Sequence, residues 1–400
     1  MKFKKLLAAL LAVMMVASMA ACGTSTASSA PAETGSEAPA ATEAPAAEET
    51  TEAPAAEAGS TAEAASAKEE TPKAESIECD PLTIDFSTVY NETETGGQII
   101  KHFEEYISNL TGGAITMNIF WGGTLFSDAE ALDGVNSGAV NMTALGHMPH
   151  LATLNYLAFP GFAPGGSKAA LDYFDTLMFE DPETSALIQQ EAADNGIIYL
   201  NVLAGGANAF CTTYEFTDLD SMISGSKSFG NMDAAIFEKL GFQVTSVGPG
   251  DCYDALQRGL IDSTQMGLAP MVSMGWEEVA SYWALDGTYT AGNMFTANLD
   301  WWNSLTDAQR QAIQQACDEV EEYSAGIYDD SIASDCATIE EKTGNKMVEF
   351  SDADIDRVWA ATFDAKADSA METAKANGKE EGMTKILEKA AEITGYDWKH

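Results

Sequence analysis

The chain has 400 residues, with 62 acidic against 20 basic side chains and a formal net charge of −42. So acidic a surface, with only three arginines (Arg258, Arg310 and Arg357), excludes a nucleic-acid-binding protein, whose phosphate contacts need lysine and arginine. A hydrophobic content of 46% and an aromatic content of 9% exclude disorder throughout, and the length allows two domains with full cores.

Residues 1–22 read as a lipoprotein signal peptide. Lys2, Lys4 and Lys5 precede an apolar run from Leu6 to Val16 that suits a secretory signal better than a spanning helix. Met19-Ala20-Ala21-Cys22-Gly23 resembles a bacterial lipobox, which implies lipidation at Cys22. Two acyl chains on one cysteine suffice for stable attachment, so the expected partner there is the lipid membrane. The expected location is outside the cytoplasm, anchored to the outer face of the cytoplasmic membrane or in the periplasm.

Residues 23–78 form an acidic linker rich in Ala, Glu, Pro and Thr. Prolines 31, 39, 45, 54 and 72 and twelve glutamates against two lysines, without any aromatic residue, cannot build a core; charge repulsion keeps such a stretch extended and disordered. The rest stays strongly acidic, which favours a soluble monomer and leaves room for a cationic ligand.

Leu82 to Ser87 alternates like a strand. After a Gly96-Gly97 break, Ile100, Phe103, Ile107 and Leu110 recur at helical spacing. Ile115 to Phe120 is the next strand, Asp128 to Ser137 a helix and Asn141 to Leu145 another strand. Gly196 to Val202 reads as a buried strand, Asp233 to Leu240 as a helix and Gln243 to Val247 as a strand. Such alternation predicts an α/β protein with largely parallel sheets. Thr306-Asp307-Ala308-Gln309 fits a capping box opening a helix that meets no breaker before Gly344, long enough to span two domains. Ser351 opens a further helix, and a shorter one follows Gly382.

Signals for catalysis are poor. His102, His147, His150 and His400 have no metal-ligand spacing, and His147-Met148-Pro149-His150 is broken by its proline. There is no GxSxG, no P-loop and no GxGxxG after a strand, so binding is favoured over enzymatic turnover, with no metal and no cofactor expected. Beyond Cys22 the cysteines 79, 211, 252, 317 and 336 are odd in number and lack CxxC spacing; one bridge, such as Cys211 to Cys252, is compatible with export.

The motif order resembles the extracytoplasmic solute-binding proteins of tripartite ATP-independent periplasmic (TRAP) transporters, the DctP-like family, over about residues 80 to 350. The most specific stretch is Tyr253-Asp254-Ala255-Leu256-Gln257-Arg258-Gly259-Leu260-Ile261-Asp262-Ser263, similar to that family's Tyr-x-Ala-Leu-Gln-x-Gly-x-Val-Asp-Gly signature. Leu240-Gly241-Phe242-Gln243-Val244, Gly122-Gly123-Thr124-Leu125 and Gly138-Ala139-Val140-Asn141-Met142 resemble further elements in the family's order. The resemblance implies a two-domain periplasmic-binding-protein-like fold of type II, with a long domain-spanning helix and the ligand in the cleft between domains. It gives domain I as 79–204 plus 292–331, and domain II with the C-terminal helices as 205–291 plus 332–400. It implies a small-molecule solute and TRAP membrane permease subunits as partners.

The departures from the family bear on the ligand. Its Gly-x-Lys-x-Arg strand, whose arginine clamps a carboxylate, aligns with Gly225-Ser226-Lys227-Ser228-Phe229, putting Phe229 at the clamp; a second arginine position falls on Asn208. Lys227 offers a substitute cation, since i and i+2 share a strand face, although it occupies the family's own lysine position. The expected cleft is lined by Tyr90, Trp121, His147, Asn208, Phe210, Phe229, Gln265 and Trp301. Aromatics with few hydrogen-bonding groups suit a neutral or cationic solute rather than an arginine-clamped acid. The alternatives are a binding module of the same fold serving a sensor kinase or another transporter type, and a surface enzyme using an acidic pair.

Overall fold

The computed structural model describes residues 76–146, 150, 153–157 and 161–399, which belong to one compact unit. The first described residues are already engaged. Ile77 donates its N–H to the Leu110 carbonyl at 2.9 Å and rests on the first core, two residues before the compositional break at 79.

The chain opens β1 (Leu82–Ser87), α1 (Thr95–Leu110), β2 (Ile115–Phe120), α2 (Ala131–Asn136), β3 (Met142–Leu145). It continues β4 (Phe162–Pro164), α3 (Ser167–Asp175), α4 (Pro182–Asp194), β5 (Ile197–Tyr199) and β6 (Ala204–Thr212). Then come α5 (Leu219–Gly225), β7 (Phe229–Gly230), α6 (Ala234–Leu240), β8 (Val244–Thr245), α7 (Pro249–Gln257), β9 (Ser263–Gly267) and α8 (Leu268–Ser273). The last segment is β10 (Tyr282–Ala291), β11 (Met294–Asn298), α9 (Leu299–Ser304), α10 (Asp307–Thr343), α11 (Asp352–Ala376) and α12 (Glu380–Thr394).

The strands form two sheets, ordered β2-β1-β3-β11-β5 and β4-β10-β6-β9-β7-β8. They are mixed, not largely parallel as the alternation predicts. β1 pairs in parallel with β2 and β3, and β7 with β8 and β9, but β11 runs against β3 and β5. In the second sheet β10 runs against β4 and β6, and β6 against β9. The reason is that β6 and β10 do not belong to βαβ units: they carry the chain into and out of the second sheet and pair with each other on the way. Gly96 and Gly97 likewise lie inside the first turn of α1 rather than before it. A Cβ at Gly96 would meet the Tyr90 ring at 2.5 Å, and one at Gly97 the Asn91 carbonyl oxygen at 2.0 Å, so glycine is required by close approach, not by a break.

α10 starts at the expected capping box, where the Thr306 hydroxyl accepts from the Gln309 N–H, and ends on Gly344 at φ +73°. Its 37 residues span about 55 Å. Ala312, Ile313, Ala316, Cys317 and Val320 pack with the first sheet and α1, Ala325 joins the core around α3 and α4, and Ile339 the core under β9. α11, N-capped by Ser351, bridges in the same way: Val358, Ala361 and Ala365 cover the aromatic core of the second sheet, while Trp359 and Phe363 reach the core around α3 and α4. The α12 end is tied by Lys379 to buried Glu191, whose two oxygens also accept from the Asn155 and Tyr156 N–H groups at 2.9 and 2.8 Å. All five described cysteines are free thiols, including Cys211 and Cys252, so the bridge between those two is not formed.

Candidate functional site

A cavity of about 900 Å³ opens at the strand ends of the second sheet. Tyr90 and the first turn of α1 line one side, β6, β7, β9 and β10 the other, and Tyr328 and Asp335 of α10 pass along it. That volume is at the upper end of what small-molecule sites use.

Its polar wall is built on a bulge. The β6–β10 register shifts between Leu285 and Tyr289, and Gly287 sits at φ +80° in the shifted segment. The irregularity holds Asp286 in the cavity wall, only 1% exposed. Its Oδ1 accepts from the Thr288 N–H at 2.7 Å and the Thr288 hydroxyl at 2.8 Å, and its Oδ2 accepts from Gln265 Nε2 at 2.6 Å. Burial pushes this carboxyl up to about 6 against the hydrogen bonds, which pull it down. Asn208 Nδ2 extends the network, donating to Thr288 Oγ1 at 3.0 Å, and Asn231 Nδ2 donates to the Gln265 carbonyl at 2.8 Å. Opposite, Tyr90 and Tyr328 share the wall, and burial pushes both phenols up.

Among the described residues the cavity wall holds four carboxylates, Glu94, Asp233, Asp286 and Asp335, and one cation, Lys366. Lys366 is already matched: its ammonium lies 2.5 Å from Asp233 Oδ2 and 5.1 Å from the Phe162 ring centre. None of the three arginines reaches the wall.

Of the residues expected from the sequence to line the cleft, Tyr90, Asn208 and Gln265 are brought together here. His147 lies outside the described residues, as does Cys22. Phe229 and Phe210 are corrected. Both are fully buried behind the wall, with the Phe229 ring 4.4 Å from Phe242, 4.5 Å from Phe237 and 6.0 Å from Phe210. The wall of β7 is instead made by Gly230, where a Cβ would meet Ile261 Cδ1 at 2.4 Å, so β7 turns the side chain at 229 into the core and offers none to the cavity at 230. Trp121 and Trp301 are also displaced from the site: one follows the edge strand β2, the other lies in α9 beyond β11, and both rest half-buried on the core of the first sheet. Lys227 is exposed and does not reach the cavity. The motif aspartate Asp262 is structural, its carboxylate accepting from the Lys227 and Ser228 N–H groups at 2.9 and 3.3 Å and so fastening β7 beside β9.

Asp286, Thr288, Tyr328, Asp335 and Lys366 were not legible as site residues. An Asp-Gly pair inside an apolar alternation is the one signal that points to the bulge. The other three lie on helices whose exposed and cleft-facing polar residues look alike in sequence.

Two lobes of sheet, crossing strands, a long shared helix and a deep cleft at strand ends define the class of extracytoplasmic solute-binding proteins. The chain belongs to the DctP family, bacterial extracellular solute-binding protein family 7, whose profile matches residues 86–373. It is 25% identical over 255 residues, 62% of this chain and 74% of its relative, to the C4-dicarboxylate-binding periplasmic protein DctP of Rhodobacter capsulatus. Its fold is similar to that of a TRAP periplasmic solute-binding protein from Ochrobactrum anthropi, with a TM-score of 0.66 at 21% identity over 80% of this chain and 97% of that one. It is similar too to the ectoine-binding protein TeaA of the TeaABC TRAP transporter, with a TM-score of 0.65 at 15% identity over 78% and 100% of the chains. The family comprises substrate-binding receptors, not enzymes, which work outside the cytoplasm with membrane permease subunits.

Proposed function

We propose that this protein captures a small neutral or cationic solute in the cleft and delivers it to a TRAP permease, closing residues 79–204 with 292–331 against residues 205–291 with 332–400. The observation that carries the ligand class is the charge of the wall, four carboxylates facing one ammonium that is already paired, with no arginine to hold an acid. Closure over such a wall strengthens its attraction for a cation and its rejection of a carboxylate. The TRAP relatives named for dicarboxylate and for ectoine indicate that one fold serves solutes of different charge. A lipid on Cys22, at the lipobox-like Met19-Ala20-Ala21-Cys22, would hold the receptor beside its permease.

A thermal-shift screen of organic acids, sugars, aromatic compounds and quaternary ammonium compounds tests the ligand class, because specific binding raises the melting temperature by mass action. Neutral or cationic compounds alone should raise it, and a shift with carboxylates alone would refute the reading. Delivery is tested with permease reconstituted in vesicles, where uptake should require the liganded receptor. Cys22→Ala should release the protein from the membrane fraction; retention would refute the anchor.

A further inference from the structure

Most polar groups of the cavity wall are spoken for within the protein. Asn208 is bound to Thr288, Gln265 to Asp286, Asn231 to the Gln265 carbonyl and Lys366 to Asp233. Two are not. Trp276 is 1% exposed and lines the cavity, and its indole Nε1 has no acceptor among the described residues. Asp335 lines the same cavity, and its Oδ2 is buried without a donor among the described residues.

The two lie on elements that pack together, α10 and the turn Trp276–Glu278. Glu277, next to Trp276, raises the Asp335 carboxyl by its charge, in addition to the effect of burial. Glu277 has its own cation in Lys342, whereas Asp335 forms no ion pair among the described residues. A buried donor and a buried acceptor left unmade are each unfavourable, so their position beside a ligand cavity marks where a ligand's own groups are missing. An uncompensated carboxylate next to a second carboxylate asks for a positive charge.

We propose that the solute carries a positively charged nitrogen, an ammonium or an amidinium, seated against Asp335, and beside it an oxygen that accepts from the Trp276 indole N–H. Asp286 lines the same cavity and adds a second carboxylate to it. The inference rests on the receptor reading above and narrows its ligand from neutral or cationic to cationic.

The test uses the full chain in detergent, with choline and agmatine as cationic probes, 3,3-dimethylbutan-1-ol as the neutral counterpart of choline, and galactose, succinate and galactonate as neutral and anionic controls. At least one cation should bind, the neutral counterpart should not, and Asp335→Asn should weaken the bound cation at least tenfold without a large change in the unliganded melting temperature. Trp276→Phe, which keeps a ring and removes the donor, should weaken choline, whose hydroxyl supplies the acceptor, several-fold. Binding of the neutral or anionic probes in preference, or unchanged cation affinity in Asp335→Asn, would overturn the cation assignment and leave the receptor reading standing. If no probe binds, the protein is incubated with an extract of the cells that encode it, washed and denatured, and the released solute identified by mass spectrometry. A cationic solute supports the proposal, a neutral or anionic one overturns it, and no released solute overturns the receptor reading with it.

Discussion

Asn208 and Phe210 stand two residues apart on β6 and share one face of the second sheet, opposite Gly267 and Gln265 of β9, yet they do different work. Asn208 is in the cavity wall, hydrogen-bonded to Thr288, whereas Phe210 is sealed beneath α11 in a cluster with Phe229, Phe237 and Phe242. One strand face thus runs from ligand wall to core in about 7 Å, the length of two residues. What separates the regions is depth along the strand. Polar groups crowd the strand ends, where the bulge at Asp286 interrupts pairing, and rings fill the sheet where helices cover it.

The strongest way to break this comparison is to charge the aromatic region. Phe229→Arg puts a guanidinium among three phenyl rings with no acceptor, at a cost of about 4 kcal/mol or more. The variant should fail to fold or melt far lower in denaturant titration, and it should gain no affinity for succinate; a folded variant that binds succinate would return Phe229 to the cleft. Phe242→Ala, in the same cluster, should cost about 3 to 4 kcal/mol of unfolding free energy through the cavity it leaves. Solute affinity, measured by calorimetry, should stay unchanged, because Phe242 does not touch the cleft.

The polar region should respond to pH. Burial raises the Asp286 carboxyl from 3.8 to about 6, so the folded protein holds a proton that the unfolded chain releases. The stabilising contribution is fully present below the unfolded value and is lost as pH rises through about 6, up to roughly 3 kcal/mol in all. Asp286→Asn should therefore match the unliganded wild type near pH 4 and exceed it by about 1 to 2 kcal/mol near pH 7.5. An equal pH slope in both proteins would show that Asp286 is not held in the buried network. Lys227→Ala is the smallest change: exposed and off the cavity wall, it should shift stability by no more than about 0.5 kcal/mol and leave solute affinity untouched.

Local pattern was legible wherever it was repeated or capped. The alternation at Leu82 to Ser87 and Ile115 to Phe120 and the Thr306 capping box each gave an element at its observed place. The ordered family motifs pointed to the solute-binding fold. Of the two positions where the family's arginines fall, Asn208 lines the cavity and Phe229 is buried behind it.

The sequence by itself determined the acidic composition, the succession of strands and helices, the long helix from Thr306 to Gly344 and the scarcity of arginine, because these depend on residue type and on periods of two and 3.6 residues. Tertiary structure alone decided the antiparallel pairing of β6 with β10, the burial of Phe210 and Phe229, and the meeting of Asp286, Asp335, Trp276 and Tyr328 around one cavity. Periodicity assigns a side chain to a face of its element, but how far along that face the solvent reaches is set by the helices laid across it, and for Phe210 those include the one bearing Ala365, far along the chain.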